Sequence, residues 1–364
     1  MHVAIVTPNL HGGGAEAVAR QWIAELQAEG HSITVYAYAR EQPDVELPHD
    51  VVSHRMGRHG GPLRPVLMPW WLAGRIRRDT PDVVLSLMTF SNVVSLLALK
   101  LGGHSTVPLM VSEHNVQSLQ TVNLRRRERL TVWLARRLYR FATGALAVSH
   151  PVAAELVSAF RVPAQRIFVV PNPVLSSSEA TAAAPAHQLP KDLHLVLVGR
   201  HAEQKRPQLF LEVLQDLAHR GVSVRGSVIG DGPLREATEQ KSSQLGLDVA
   251  FLGWREPWWE AVSNVDCLVL TANAEGLANV LVEAASAGIP SVASSRALGV
   301  ADAIVPGVTG ELALGDNPRS YADAVLRAAP LVLTSPIEIR AWLNHFSSAH
   351  STATLLAALE AVKQ

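Results

Sequence analysis

Short runs of β-branched residues and leucine alternate with amphipathic helical patterns along the whole chain. In the first half such runs predict strands at residues 3–6, 33–38, 83–87, 109–112, 145–148 and 167–170. The pattern restarts in the second half, with runs at residues 195–198, 224–229, 249–252, 267–270, 291–293 and 311–314. Strands separated by helices indicate βαβ units and parallel sheets. The predicted class is therefore α/β, with two Rossmann-like, doubly wound domains.

A stretch rich in Pro, Ser and Ala divides the two series of strands and predicts a linker at residues 173–192. The domains then cover residues 1–172 and 193–345. Residues 346–364 predict one helix with no strand after it, which could pack on either domain. Open α/β sheets bind ligands at the carboxyl ends of their strands, so we expect the site in a cleft between the domains.

Composition narrows the functional classes. Of 364 residues, 48% are apolar and 18% are charged, which is typical of a globular protein. The 32 Lys and Arg balance the 32 Asp and Glu, so nucleic acid is not an expected partner. One cysteine cannot form an intrachain disulfide, and the first residues lack a basic segment followed by a long apolar core. We therefore expect a cytoplasmic protein, with no membrane span because residues 83–103 are interrupted by polar side chains.

The neutral total hides an asymmetry between the halves. Residues 1–180 carry 18 Lys and Arg against 13 Asp and Glu. Much of this excess lies in residues 125–140, where apolar positions alternate with Arg125, Arg126, Arg127, Arg129, Arg136, Arg137 and Arg140. The spacing predicts a basic amphipathic helix. Such a helix either lies on an anionic membrane surface or packs on a core with its arginines in solvent.

The first chemical motif is HGGGAEAVA, in which Gly13 and Gly14 precede a predicted helix. It nominally fits the dinucleotide fingerprint G-x-G-x-x-A. Five residues separate it from the preceding strand, whereas the fingerprint follows its strand at once. A helix N-terminus in this place can still offer amides to a phosphate or a sugar hydroxyl, or the glycines shape a turn only.

Two further motifs follow predicted strands of the second domain. In LVGRHAEQKRPQ, Arg200 and Lys205 lie on the loop after a strand, where two cations suit a leaving diphosphate. The alternative is a solvated basic loop. In IGDGP, Gly230 permits the close approach of a ligand, although alone it indicates only a turn.

The most specific motif is TANAEGLANVLVEAASAGIPSVAS. Glu275 follows a strand and Glu283 lies inside the next helix, off its packed stripe together with Asn279 and Ser286. Glu275 can meet a ligand above the helix start, and Glu283 can accept hydrogen bonds from a ribose-type diol. The backbone at the helix start can hold a phosphate, and it comprises Gly276, Leu277, Ala278 and Asn279.

This set of motifs is similar to that of the retaining glycosyltransferases of family 4, which have the GT-B fold, and the resemblance covers nearly the whole chain. It implies that Arg200 and Lys205 bind the donor diphosphate. It also implies that Glu283 binds the ribose and that Glu275 contacts the donor sugar. His114 of VSEHN matches the family's histidine that contacts the donor sugar near the reaction centre. The final helix would cross back onto the first domain.

The resulting hypothesis is a retaining glycosyltransferase without a bound cofactor. It would move a hexose or N-acetylhexosamine from a nucleotide-diphosphate sugar, with UDP favoured on family frequency, to an acceptor hydroxyl. The acceptor is a lipid-linked or cell-envelope glycan, or a soluble small molecule. No Asp-x-Asp occurs, so we expect no metal. Alternatives are a nucleotide-sugar epimerase, a nicotinamide oxidoreductase and a binding scaffold. Leu277 stands where many members carry an aromatic residue, which leaves the donor sugar open.

Overall fold

The computed structural model describes residues 1–11, 13–38, 47–56, 63–103, 106–120, 125–176, 192–331, 333 and 336–363. The chain forms two compact units. Unit 1 comprises Met1–Val174 together with Phe346–Gln364, and unit 2 comprises Leu175–His345. Most of the predicted linker, residues 177–191, lies outside the described residues.

Unit 1 contains a parallel sheet of seven strands in the order β3-β2-β1-β4-β5-β6-β7. The strands are β1 (His2–Thr7), β2 (Ser32–Ala37), β3 (Val52–Arg55), β4 (Val83–Leu87), β5 (Leu109–Glu113), β6 (Gly144–Ala147) and β7 (Ile167–Val169). The helices are α1 (Gly14–Ala28), α2 (Arg64–Asp79), α3 (Thr89–Leu101), α4 (Gln117–Gln120), α5 (Arg126–Leu138) and α6 (His150–Ser158). The central strands are buried because parallel strands with crossover helices are covered on both faces.

Strand β3 was not predicted from the sequence. It pairs with β2 at the edge of the sheet, and its four residues VSHR are mostly exposed. An edge strand needs no apolar run, since one of its sides has no neighbouring strand and its faces are open to water. The periodicity that identifies the inner strands is therefore missing here.

Unit 2 contains a parallel sheet of six strands in the order β10-β9-β8-β11-β12-β13. The strands are β8 (Asp192–Val198), β9 (Ser223–Ile229), β10 (Val249–Gly253), β11 (Cys267–Leu270), β12 (Ser291–Ser294) and β13 (Gly310–Ala313). The helices are α7 (Pro207–His219), α8 (Arg235–Gln244), α9 (Asn279–Ser286), α10 (Pro318–Ala328) and α11 (Pro336–Leu343). The apolar faces of α7 and α10 enclose one core with the sheet. The two doubly wound parallel sheets confirm the predicted fold class.

The last helix, α12 (Ser348–Lys363), belongs to unit 1 and packs against α1. The indole nitrogen of Trp22 donates to Ser351 Oγ over 2.9 Å, and Ser351 Oγ donates to the carbonyl of Pro171 over 2.6 Å. Below α12, a Cβ on Gly144 would lie 2.6 Å from Val362 Cγ1, so β6 needs glycine at this position. The helix predicted over residues 346–364 therefore joins the first unit.

The predicted basic helix is α5, which begins one residue later and ends two residues earlier than the arginine-rich segment. Residues 83–103 contain all of β4 and α3, a strand followed by a helix, as their polar interruptions predict. Within the described ranges, no helix is both long enough and apolar enough to cross a membrane.

Candidate active site

The carboxyl ends of β8 and β11 bring two predicted residues into contact. Lys205 Nζ lies 2.7 Å from Glu275 Oε1, although seventy positions separate them in the chain. The hydroxyl of Thr271, directly after β11, donates to the carbonyl of Lys205 over 2.7 Å and fixes the loop. The lysine side chain is 23% exposed and the glutamate 8%, so the pair is largely shielded from water but not sealed.

The neighbouring cations of this loop differ in what they contact. Arg206 is paired with Asp316 at 2.7 Å and also donates to the carbonyl of Thr271. Arg200 is exposed, and no carboxylate in the described part of the chain pairs with its guanidinium. Of the three, Arg200 is the cation most open to an incoming anion.

Gly230 has a structural role that its motif did not reveal. Its φ is +126°, and a Cβ there would lie 2.0 Å from the carbonyl oxygen of Gly199. Gly232 is constrained in the same way, because a Cβ there would lie 2.6 Å from the carbonyl oxygen of His201. The loops after β8 and β9 therefore pack backbone to backbone, which only glycine permits.

The Glu275 segment is held by backbone contacts on two sides. Its amide donates to the carbonyl of Ala297 over 3.1 Å, and Gln204 Nε2 donates to the carbonyl of Ala274 over 2.6 Å. Gly299 lies against it, since a Cβ there would come 2.3 Å from the carbonyl oxygen of Glu275. Gly299 was not predicted, because its close approach depends on a chain segment distant in sequence.

Helix α9 begins directly after this segment. Gly276, Leu277 and Ala278 lead into the helix, Asn279 is its first residue, and no side chain caps the N-terminus. Leu277 and Ala278 are buried, so any contribution of theirs to a ligand comes from the backbone. The N-terminal turn carries the positive end of the helix dipole, which favours an anion.

Glu283 lies one turn inside α9 and accepts a hydrogen bond that the sequence did not predict. Trp258 Nε1 donates to Glu283 Oε2 over 2.8 Å, and this tryptophan is only 3% exposed. The predicted helix face needs one correction. Ser286 is buried, not off the packed side, and its hydroxyl donates to the carbonyl of Glu283. Val282 and Ala285 are buried as well, so α9 packs on nearly all sides.

In unit 1, His114 follows β5 directly and is buried. Its Nε2 lies 3.0 Å from Ser112 Oγ, and its Nδ1 has no hydrogen-bond partner. Burial lowers the pKa of the imidazole to about 4, so the ring is neutral near pH 7. A neutral ring with one nitrogen unused is suited to hydrogen bonding with a hydroxyl.

Glu113 is a buried carboxyl that was not predicted. It accepts hydrogen bonds from Thr89 Oγ1 at 3.0 Å, from Gln117 Nε2 at 3.1 Å and from the Tyr139 hydroxyl. Burial raises the pKa of Glu113 to about 7, although these donors act against the rise. The only sequence signal was an acid at the end of a buried strand.

Gly13 and Gly14 lie at the exposed N-terminus of α1, and the Gly12 of the motif is outside the described residues. A Cβ on Gly13 would come 3.0 Å from Glu16 Oε2, while one on Gly14 would meet nothing within 4 Å. The first turn carries one carboxylate, that of Glu16, near the positive end of the helix dipole. Across the described residues, no group of three or more metal-binding side chains occurs.

Two parallel, doubly wound units in one chain define the GT-B architecture of glycosyltransferases. The chain belongs to glycosyltransferase family 4. The model of that family matches residues 12–175, and the model of the group 1 glycosyl transferases matches residues 192–329. The sequence resemblance to family 4 is thus confirmed.

Curated relatives include transferases of different sugars. The lipopolysaccharide 1,6-galactosyltransferase of Salmonella typhimurium is 35% identical over 175 residues, which are 46% of this chain and 47% of that protein. The alpha-D-kanosaminyltransferase of Streptomyces kanamyceticus is 26% identical, and the match covers 80% of each chain. The alignment spans about half the length of the first of these relatives.

Solved structures resemble the whole chain. The lipopolysaccharide outer core galactosyltransferase WaaB in its apo form superposes with a TM-score of 0.77 at 22% identity, covering 99% of both chains. Anabaena Alr3699/HepE in complex with UDP-glucose superposes with a TM-score of 0.74 at 18% identity, covering 99% of this chain and 100% of that one. At these identities the likeness concerns the fold.

Proposed function

We propose that this protein is a metal-independent retaining glycosyltransferase that takes a hexose or N-acetylhexosamine from a nucleotide-diphosphate sugar. The observation that carries the proposal is the contact of Lys205 with Glu275, on the same loop that carries the exposed Arg200. Two cations and a carboxylate at adjacent strand ends can bind a diphosphate and the sugar attached to it.

In the transfer, the bond between the anomeric carbon and the diphosphate oxygen breaks, and the diphosphate keeps the electron pair. The acceptor oxygen forms the new bond, and its proton passes to the diphosphate or to solvent. Negative charge therefore develops on the diphosphate, where Arg200, Lys205 and the N-terminus of α9 stabilise it. These groups take the place that a divalent cation fills in other transferases.

The two glutamates have different tasks in this proposal. Glu283 binds the ribose hydroxyls, and the hydrogen bond from Trp258 to one carboxylate oxygen orients the other toward them. Glu275 contacts the donor sugar. Its ion pair with Lys205 keeps this carboxylate next to the cation that binds the diphosphate. His114 hydrogen-bonds a sugar hydroxyl, and the backbone at Gly13 and Gly14 contributes to the donor or the acceptor.

The nature of the donor and the acceptor is supported by the relatives. HepE binds UDP-glucose, and two curated relatives are galactosyltransferases of lipopolysaccharide. We therefore favour a UDP-hexose as donor and a cell-envelope glycan, in some cases lipid-linked, as acceptor. The partner is a glycan and not a nucleic acid, since the net charge of the chain is zero.

The experiment is a screen of nucleotide sugars for release of nucleoside diphosphate with and without a lipopolysaccharide core acceptor. We expect release that depends on acceptor, with the anomeric configuration of the donor retained in the product as seen by NMR. Interconversion of the sugar on an intact nucleotide would identify an epimerase instead. Transfer to soluble sugars alone would mean that the acceptor is a soluble molecule and not a cell-envelope glycan.

We also propose that unit 1 lies on an anionic membrane surface, with the protein otherwise in the cytoplasm. On α5 the N-terminal arginines and Leu130 are exposed. An exposed apolar stripe at the start of α2 was not predicted, and it consists of Leu63 before the helix and Val66, Leu67 and Trp70 on it. Both helices pack against α3, so their outer faces belong to one helical layer. Lysine and arginine near such a surface contribute about 1 kcal/mol each.

Vesicle sedimentation tests this location. We expect binding to anionic but not to neutral vesicles, weakened by salt and by replacement of Arg125, Arg126 and Arg127 with Glu. Val66→Asp should weaken binding by removing apolar contact without changing α5. Protein that stays in the supernatant with anionic vesicles at low salt would refute the membrane proposal and favour a soluble acceptor.

A further inference from the structure

An open groove of about 420 Å³ lies in unit 1 between the C-terminal half of α5 and the end of α6. Its lining consists of Trp133, Arg136, Arg137, Ser158, Ala159 and Arg161. Three of these six residues are arginines, and none is acidic. The groove, called here the arginine groove, is separate from every residue assigned to the donor.

The arginines have no counter-charge within the described part of the chain. No carboxylate there forms an ion pair with Arg136, Arg137 or Arg161. Three like charges around one groove repel each other, and an anion of matching charge would relieve this repulsion. A guanidinium also presents a planar fork that fits two phosphate oxygens.

Two features restrict Arg137 and the backbone of Arg161. The guanidinium carbon of Arg137 lies 5.3 Å from the centre of the Trp133 ring, a cation–π contact that limits its motion. Arg161 has a φ of +59°, at the end of α6 where glycine is the usual residue. The backbone amide of the next residue, Val162, donates to the carbonyl of Leu156 in the last part of α6 over 3.0 Å. An arginine is therefore held in a backbone conformation that glycine would adopt with less strain.

We propose that the arginine groove binds a phosphate monoester, carried either by a lipid headgroup or by a soluble sugar or polyol phosphate. A monoester carries nearly two negative charges near neutral pH, whereas a diester carries one, so three arginines favour the monoester. The exposed part of the Trp133 indole offers an apolar surface to the organic part of the ligand. The inference does not rest on the proposed transfer reaction.

The first arm of the test titrates the intact protein with glycerol 3-phosphate by calorimetry. Saturating UDP is present, so that phosphate-binding groups of unit 2 are occupied. The double variant Arg136→Gln/Arg161→Gln should weaken binding about ten-fold or more. Arg129→Gln, an exposed arginine of the same helix outside the groove, should change it less than about two-fold.

The second arm compares phosphatidylcholine vesicles that contain phosphatidic acid with vesicles brought to the same surface charge by phosphatidylserine. The groove should favour phosphatidic acid, and the preference should vanish in the double variant. Binding of glycerol 3-phosphate alone identifies a soluble ligand, and binding of phosphatidic acid alone identifies a lipid. Both results support the groove.

A further variant separates binding from folding. Arg161→Gly removes one guanidinium and suits the positive φ, so it should unfold at the same temperature as the parent or higher while binding more weakly. Three results would overturn the proposal: no binding of either phosphate, equal loss in Arg129→Gln and the double variant, or full binding by Arg161→Gly and the double variant.

Discussion

The candidate functional side chains of the two units lie in opposite environments, charged and partly accessible in unit 2 but buried in unit 1. In unit 2, Lys205 and Glu275 face each other at 2.7 Å, and Arg200 is open to solvent. In unit 1, Glu113 and His114 are buried, and burial moves both pKa values toward the uncharged forms. Unit 2 can therefore present charge to a diphosphate, whereas His114 of unit 1 offers a neutral imidazole nitrogen that suits a hydroxyl.

The largest effect should follow loss of a cation in unit 2. Arg200→Ala and Lys205→Ala should each lower turnover about 100-fold or more, because each removes a group that we propose to stabilise the leaving diphosphate. Lys241→Ala is a matched control, since it breaks another lysine–glutamate pair of unit 2, with Glu212 on α7. Steady-state rates measure the difference. Rates like the parent's in both site variants would remove the assignment.

The next effect should separate the two glutamates. Glu283→Ala should chiefly weaken nucleotide binding, while Glu275→Ala should lower turnover with modest loss of nucleotide affinity. Calorimetry with UDP and steady-state kinetics give the two quantities. The reverse pattern would exchange the roles of the two residues.

Trp258→Phe should weaken nucleotide binding less than Glu283→Ala, because it removes one donor and keeps the carboxylate. If it leaves UDP affinity unchanged, the indole does not orient Glu283. Thermal unfolding of this variant serves as the control for packing, since Trp258 is buried.

A smaller effect concerns the stability of unit 1 against pH. The folded pKa of Glu113 is raised to about 7, so its contribution to the free energy of unfolding is lost as pH rises from about 4.5 to 7. The folded pKa of His114 is lowered to about 4, so its contribution is lost as pH falls from about 6.5 to 4. The contributions of these two adjacent residues to the free energy of unfolding therefore change in opposite directions with pH.

Glu113→Gln should reduce the loss of stability at rising pH, and His114→Gln should reduce it at falling pH, each by on the order of 1–3 kcal/mol. Denaturant unfolding between pH 4 and 8 measures both, with Glu360→Gln as the exposed control of the same unit. Parallel profiles for parent and variants would contradict the raised pKa of Glu113 and the lowered pKa of His114.

The smallest effect on the transfer rate should come from adding a chelator of divalent cations. If Arg200 and Lys205 supply the positive charge, a chelator should leave the transfer rate unchanged. Complete inactivation by chelator, reversed by a divalent cation, would mean that the charge of unit 2 is insufficient by itself.

The sequence by itself determined the class and most elements, because alternating apolar strands and helices carry a local periodicity. It also predicted Arg200, Lys205, Glu275 and Glu283 as site residues, since each belongs to a short motif after a strand or at a helix start. Local patterns of this kind can be recognised in the sequence because they do not depend on which other segments pack against them.

Only the tertiary structure decided which of these residues touch and which groups lose their charge. The contact of Lys205 with Glu275 joins two strand ends seventy positions apart, and the bond from Trp258 to Glu283 joins a loop to a helix. The pKa of Glu113 depends on a burial that several elements produce together. Such properties arise from side chains brought together by packing, and no periodicity along the chain encodes them.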